Sequence, residues 1–424
     1  MKQPPDPSIP PEPLRVCIVA ESASFRFGGE ASLPLHYFSR LRARGIEAWL
    51  VVHGRTRGEL DSLFPTDRDR IQYIPDRWYH RLIWRLSWPL PRRVAQGTLG
   101  TLIVLINQLI QRRMIKDLIR ASEVNLVHQP IPVSPKAPSL ISGLGVPVII
   151  GPMNGGMDYP AAFRTAESVF TRVAVAIGRS AANLVNFLVP GKRHASALLV
   201  ANERTRLALP SAPRAQIIEI PENGVDLSIW TVPSVAAQPI SEPPSFYFVG
   251  RLVDWKRLDL VIQALASIPA AHLCVIGDGP MRPEWSALSE SLGIADRIHW
   301  LGWLPQPECA HLLQSATALL LPSIYECGGA VVLEAMACGI PVVATDWGGP
   351  ADYLDESCGF LVDPSTQQSI VRGFVNSMQT LIAEPGLHDQ LGASGRRRVE
   401  DYFDWEKKID QILEIYRRVR SQHS

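Results

Sequence analysis

Short, unbroken apolar runs recur along the chain, each closed by a glycine, a proline or a polar turn. In the first half they fall at residues 14–20 (LRVCIVA), 48–53 (AWLVVH), 124–128 (VNLVH), 146–150 (VPVII), 198–200 and 217–220. Apolar runs of this length without alternation predict strands covered on both faces, as in parallel sheets. Segments with helical spacing, such as 33–43, separate them. The alternation therefore predicts a parallel sheet flanked by helices. Residues 231–244 (TVPSVAAQPISEPP) break the pattern with four prolines and no apolar face, and read as a linker. The alternation then restarts at 246–249, 272–276, 297–301, 318–321, 341–344 and 359–362, with helices at 258–267 and 330–338 among them. A last helix begins at Asp404-Trp405 and places Ile409, Ile412, Leu413 and Ile415 at apolar positions. The expectation is an α/β protein of two doubly wound domains. Ligands of such sheets bind beyond the carboxyl ends of the strands, so two facing domains would share one cleft.

Composition narrows this little. A chain of 424 residues has room for two full cores, and 46% hydrophobic with 20% charged residues describes a globular protein. The net charge of +1 gives no whole-molecule steering toward nucleic acid. Six cysteines (17, 274, 309, 327, 338, 358) form no C-x-x-C pair, so buried free thiols in a reducing cytoplasm are expected rather than a zinc site. Residues 1–13 are proline-rich and read as a disordered tail without a signal peptide. The uncharged run 94–111 is interrupted by polar residues and reads as a buried or interfacial helix, since a span needs roughly 20 apolar residues.

Local charge changes the picture more. Between Arg77 and Arg120 stand nine Lys/Arg and one acid, Asp117, so this stretch carries 9 − 1 = +8 and the remainder 1 − 8 = −7. Trp78, Tyr79, Trp84 and Trp88 interleave with the arginines. Two readings stand: an amphipathic surface facing anionic lipid, or an inserted helical pair with a solvated basic face.

Candidate chemistry gathers in the second half. Glu326 and Glu334 lie eight residues apart around Cys327-Gly328-Gly329 and an alanine-rich helical run. A turn opening a helix presents unbonded N–H groups and the positive end of the dipole, which suits phosphate, while a carboxylate suits sugar hydroxyls. Gly250 ends an apolar strand and is followed by Arg251 and Lys256, a guanidinium fork and a point charge for phosphate oxygens; a solvated basic loop is the plainer reading. Gly277-Asp-Gly-Pro is a strand-to-turn exit, and Gly302-Trp-Leu304-Pro is another, whose backbone could read a base. In the first half, Gly28-Gly29-Glu30 and Asn154-Gly-Gly follow strands, and paired glycines let a backbone approach a ligand closely. His128 ends a strand, as either a reactive histidine or one satisfied in place.

Together these segments resemble the retaining glycosyltransferases of family 4, of GT-B architecture. The resemblance rests on Glu326-x7-Glu334 with Glu-Ala-Met-Ala-Cys-Gly-Ile-Pro, on Gly250-Arg251…Lys256, on Gly277-Asp-Gly-Pro and Gly302-Trp-Leu-Pro, and on Asn223-Gly-Val-Asp226. It covers nearly all of the second domain and is thinner in the first. It implies two facing Rossmann-like domains with a cleft: 14–235 for the acceptor, with a basic aromatic insertion at 76–120, 236–402 for the donor, and 403–424 as a helix returning to the first domain. It implies sugar transfer from a nucleoside-diphosphate sugar to a glycan or lipid-linked acceptor, in cell-surface polysaccharide or glycolipid synthesis, with no cofactor and no metal. Arg251 and Lys256 would hold the diphosphate, and Gly250, Gly277 and Leu304 would line the donor. Glu326 would contact the donor sugar, with amides from Cys327, Gly328 and Gly329, and Glu334 would take the ribose. Gly28, Gly29 and Asn154 would line the acceptor and diphosphate loop, and His128 would support the transferring sugar. The family usually carries Gly-Phe-Gly after the first glutamate; Cys327-Gly328-Gly329 departs from it.

The expected place is the cytoplasm, with a peripheral position on the inner face of the cell membrane through 77–120 and no nucleic-acid partner. Three alternatives compete. A nicotinamide-dependent dehydrogenase would need Gly-x-Gly-x-x-Gly after the first strand, and residues 21–30 (ESASFRFGGE) lack it. The others are a GT-B enzyme that hydrolyses or epimerises a nucleotide-sugar, and a silent sugar-nucleotide-binding protein.

Overall fold

The computed structural model describes residues 13–27, 29–88, 99–122, 124–166, 182–189, 191–210, 215–232 and 243–423. Gly28, most of the proline-rich tail and most of the 231–244 linker lie outside the described residues. The chain divides into two compact units: residues 1–155, 175–222 and 409–424, and residues 156–174 and 223–408.

The first unit holds a parallel seven-stranded sheet of β1 (Arg15–Val19), β2 (Glu47–His53), β3 (Ile71–Ile74), β4 (Leu126–Gln129), β5 (Val148–Met153), β6 (Ala197–Val200) and β7 (Gln216–Glu219). Their order is β3-β2-β1-β4-β5-β6-β7. The chain therefore reverses direction across the sheet between β1 and β4, which pair through Val16–Leu126, Cys17–Val127 and Ile18–His128. β1, β2, β4, β5 and β6 are buried along almost their whole length, as strands covered on both faces must be. β3 (IQYI) was not legible in the sequence. Four residues with Gln72 and Tyr73 at the centre give no apolar run, and only its ends, Ile71 and Ile74, are buried. The final helix, Trp405–His423, contributes Ile409, Ile412, Leu413, Tyr416 and Val419 as a buried stripe at three- and four-residue spacing.

The second unit holds β8 (Ser245–Val249), β9 (His272–Ile276), β10 (Ile298–Gly302), β11 (Ala318–Leu321), β12 (Val342–Thr345) and β13 (Gly359–Val362), all parallel, in the order β10-β9-β8-β11-β12-β13. Here the winding reverses between β8 and β11. Phe246, Phe248, Trp285 and the apolar face of Leu258–Ala266 fill the core below the sheet ends. The motif Asn223-Gly-Val-Asp fastens the start of the last helix: Val225 N–H donates to Phe403 O (2.8 Å), and Trp405 N–H donates to Val225 O (3.1 Å).

Candidate functional site

In a doubly wound sheet the reversal point leaves a crevice at the carboxyl ends of the two diverging strands. In the second unit that crevice is walled by the segments leaving β8 and β11: Gly250 to Lys256 on one side, and Ser323 to Gly329 on the other. Both walls are fixed by backbone hydrogen bonds. Gly250 N–H donates to Ile276 O (2.9 Å), Gly277 N–H to Gly302 O (2.6 Å), and Leu252 N–H to Asp278 O (3.0 Å), so the exits of β8, β9 and β10 are laced together. Ile324 N–H donates to Trp255 O (3.0 Å), which ties the loop after β11 to the short helical turn Asp254–Lys256.

Across this tie Lys256 pairs with Glu326. Its ammonium contacts Glu326 Oε2, and the two side chains are only 13% and 17% exposed. The same ammonium lies 3.6 Å from where a Cβ on Gly250 would stand. Two opposite charges drawn from water into one crevice are costly unless each is held by a partner, so this pair is a built feature rather than a solvated basic loop. Arg251, next along the chain from Gly250, is exposed.

The loop after Glu326 turns sharply. Gly329 has φ +78°, the left-handed region that an L side chain resists, and caps the helix Ala330–Ala337. Gly348-Gly349, which opens the helix Gly349–Tyr353, sits directly beneath the loop. Gly349 N–H donates to Glu326 O (2.7 Å), and a Cβ on Gly349 would stand 1.9 Å from Gly328 O. The sequence reading missed this pair; its signal was the Asp346-Trp-Gly-Gly-Pro turn after an apolar strand. The backbone of Cys327-Gly328-Gly329 is thus held in place before the N-terminus of Ala330–Ala337, where unbonded amides point outward.

Glu334 lies on the same helix among apolar neighbours and keeps limited contact with water. Burial pushes its carboxyl up to about 7. Its charge in turn contributes to raising the thiols of Cys309, pushed to about 11, and Cys338, pushed to about 12, both chiefly through burial. Leu304 is half-buried on the exit of β10, where its carbonyl faces Cys309 Sγ at 3.6 Å. All six cysteines are free thiols, four of them buried.

In the first unit the crevice lies between the exits of β1 and β4. Gly29 opens the helix Gly29–Ala43, and a Cβ there would meet nothing within 4 Å. Glu30 accepts from Val133 N–H (3.0 Å), joining that helix to the loop after β4, and burial raises its carboxyl. Two sequence assignments are corrected here. His128 is fully buried; Nε2 bonds Gly151 O (2.6 Å) and Nδ1 bonds the Tyr416 hydroxyl (2.6 Å). With the ring also packed edge-on against Tyr37, it is a histidine satisfied in the core. Asn154 is also buried, donating to Glu222 Oε2 (2.8 Å) and accepting from Asn202 (3.4 Å), so its amide serves the fold.

A polar network beyond β1, β2 and β3 escaped the sequence reading because its members are far apart in the chain. Arg55 pairs with Glu21 (2.9 Å), Glu21 accepts two bonds from Asn107 (3.0 Å each), and Asn107 Oδ1 meets His80 Nε2 (2.8 Å). His53, Asp76 and His80 place ligand-type atoms within 4.8 Å of one another. Both Nδ1 atoms already accept backbone N–H groups, from Arg55 (3.2 Å) and Arg77 (3.0 Å). His53 Nε2, by contrast, is buried without a hydrogen-bond partner.

The two reversing sheets and the paired charges define a class, the GT-B glycosyltransferase fold. Residues 235–398 match the family described as glycosyl transferases group 1. That match lies wholly within the second unit. The alpha-maltose-1-phosphate synthase of Mycolicibacterium smegmatis is 30% identical over 220 residues, 48% of this chain and 57% of that one. The lipopolysaccharide core biosynthesis glycosyltransferase LpsE of Rhizobium meliloti is 28% identical over 176 residues, 41% of this chain and 50% of that one. The chain thus spans about half the length of the curated relatives it matches. Among solved structures, HepE of Anabaena in complex with UDP superposes with a TM-score of 0.65 at 17% identity, over 95% of this chain and 99% of that one. That likeness is one of fold. Among the described residues, no helix is long and apolar enough to cross a membrane.

Proposed function

We propose that the protein is a retaining, metal-independent hexosyltransferase that moves a sugar from a nucleoside-diphosphate sugar to a glycan or lipid-linked acceptor. The observation that carries this reading is the half-buried Lys256–Glu326 pair at the reversal point between β8 and β11. It sets a cation and a carboxylate side by side, where a phosphate and a sugar hydroxyl must also lie side by side. In this reading Arg251, Lys256 and the amides before Ala330–Ala337 neutralise the charge that develops on the leaving diphosphate. Glu326 orients the sugar, and Glu334 accepts from the ribose hydroxyls. The acceptor attacks from the face the phosphate leaves, and that phosphate takes its proton, so no protein base is required. Gly250, Gly277 and Leu304 line the donor, and Gly29 lies toward the acceptor; the sequence assigns Gly28 there too. The residue ranges 14–235 and 236–402 take the acceptor and donor roles.

One relative, LpsE, is by its name a lipopolysaccharide core biosynthesis glycosyltransferase; this supports a cell-surface glycan or glycolipid without naming one. A membrane-proximal acceptor would also suit the helix Trp78–Ser87. There Trp78, Leu82 and Leu86 recur every four residues and are exposed, beside exposed Arg81 and Arg85. That surface suits the anionic inner face of the cell membrane.

The reading is tested by screening nucleotide-sugars for thermal stabilisation, then following the stabilising donor with candidate acceptors in EDTA. Sugar appearing on an acceptor is expected. Donor hydrolysis or epimerisation without transfer would instead select the alternative chemistry, and binding without turnover would leave a silent binding protein.

A further inference from the structure

Residues 156–164 pass between β5 and β6 of the first unit in sequence, yet they belong to the second unit. One wall of the donor crevice, the residue that follows the other wall, and the turn beneath the Glu326 loop all touch this strap. Met157 Sδ lies 2.5 Å from where a Cβ on Gly348 would stand, so it packs on the Gly348-Gly349 turn beneath the Glu326 loop. Asp158 O accepts from Trp347 Nε1–H at 2.8 Å, holding the same turn from its other end. The Tyr159 ring lies tilted against Tyr325, with centroids 4.9 Å apart and planes 32° apart. Phe163 lies under the guanidinium of Arg257, 5.1 Å from the ring centroid. Arg257 follows Lys256 directly and holds a left-handed φ of +49°, the one non-glycine positive φ among the described residues. The strap is closed on itself, since Phe163 N–H donates to Pro160 O (2.9 Å) and Arg164 Nε to Tyr159 O (2.9 Å).

The contacts have a pattern. Tyr325 precedes Glu326, Arg257 follows Lys256, and Gly349 holds the carbonyl of Glu326. The strap thus grips the immediate neighbours of both members of the ion pair. A loop with two glycines and a left-handed turn has many alternative conformations, and holding one of them needs contacts from outside the loop. An aromatic contact of this kind is enough to bias such a loop about two- to tenfold.

We propose that residues 156–164 are a positioning strap that sets the Glu326 loop, with Tyr159 its central residue. The proposal rests on the glycosyltransferase reading for its kinetic consequence and on geometry alone for its structural one. The two are separable because Cys327, half-buried in the same loop, reports loop placement without turnover.

The test compares Tyr159→Ala and Tyr159→Phe in the full chain. The alanine variant should alkylate at Cys327 at least threefold faster with a small maleimide, read peptide by peptide, while buried Cys17, Cys338 and Cys358 keep their slow rates. The phenylalanine variant, which keeps the ring, should label like wild type. With a donor in hand, Tyr159→Ala should lose about tenfold in kcat with less than a threefold change in donor KM, and phenylalanine should restore kcat. Unchanged Cys327 labelling in Tyr159→Ala overturns the proposal. Faster labelling of all the cysteines together also overturns it, as that marks general loosening. If wild type transfers no sugar, the functional reading fails and the labelling experiment still decides the strap.

Discussion

Glu334 carries an ordinary acid in an unusual place. Its carboxyl is pushed by burial from 4.5 to about 7, so from pH 4.5 to 7 the folded chain holds a proton that the unfolded chain has released. Stability then falls as pH rises through that window and flattens above it, by at most about 3 kcal/mol. Glu334→Gln should remove this slope, so that urea unfolding at pH 8 finds the variant more stable than wild type and at pH 4.5 finds no such gain. Ribose hydroxyls donate better to the ionised form, so nucleotide binding near pH 7 should release protons in wild type beyond those released in Glu334→Gln, as buffer-dependent calorimetry would read. Glu326 differs: it is held beside Lys256, at the site of the transferred sugar in our reading. Glu326→Ala should therefore lower kcat far more than Glu334→Ala at donor saturation, and equal losses would refute the division of roles. Residue types and spacing made these acids legible in the sequence. They could not reveal that His128 and Asn154 are consumed in the core, because a partner such as Tyr416 lies 288 residues away.

At the scale of elements, the site is made by exits rather than by strands. Gly349→Ala would drive a methyl into Gly328 O. About 1–3 kcal/mol of destabilisation is expected, with loss of turnover as the Glu326 loop shifts. Gly29→Ala is the contrast, because its Cβ meets open space. Stability should stay within about 0.5 kcal/mol, so a loss of transfer there would mark a close ligand approach, as a denaturation curve beside an activity assay would show. Most strands were readable because their buried runs of Val, Ile and Leu span a doubly covered sheet; β7 and β10, largely exposed, were readable from their apolar residues alone. β3 was not, since its signal is two isoleucines around a polar pair. The brace under the loop was not either, because nothing in a Gly-Gly-Pro turn announces what rests on it.

For the whole molecule, the segregation of charge has a measurable consequence. The stretch from Arg77 to Arg120 is +8 against −7 elsewhere, and its aromatic residues Trp78 and Trp88 are 69% and 80% exposed. The protein should sediment with anionic liposomes at low salt and release as salt screens the attraction; failure to sediment would leave the basic helix as a solvated face. The division into two sheets was legible in the alternation of apolar runs. The strap's membership of the second unit was not, because it depends on packing between segments far apart in the chain.

The central claim is that the reversal point between β8 and β11 holds a nucleoside-diphosphate sugar through its own residues. Calorimetric titration of wild type and Arg251→Ala with nucleoside diphosphates in EDTA, UDP first, tests it most directly. At least one diphosphate should bind wild type without metal. Arg251→Ala should weaken it about 10- to 100-fold, the worth of a charge-assisted bond of roughly 1.5–3 kcal/mol. No binding of any diphosphate to wild type, or equal affinity in the variant, would contradict the account.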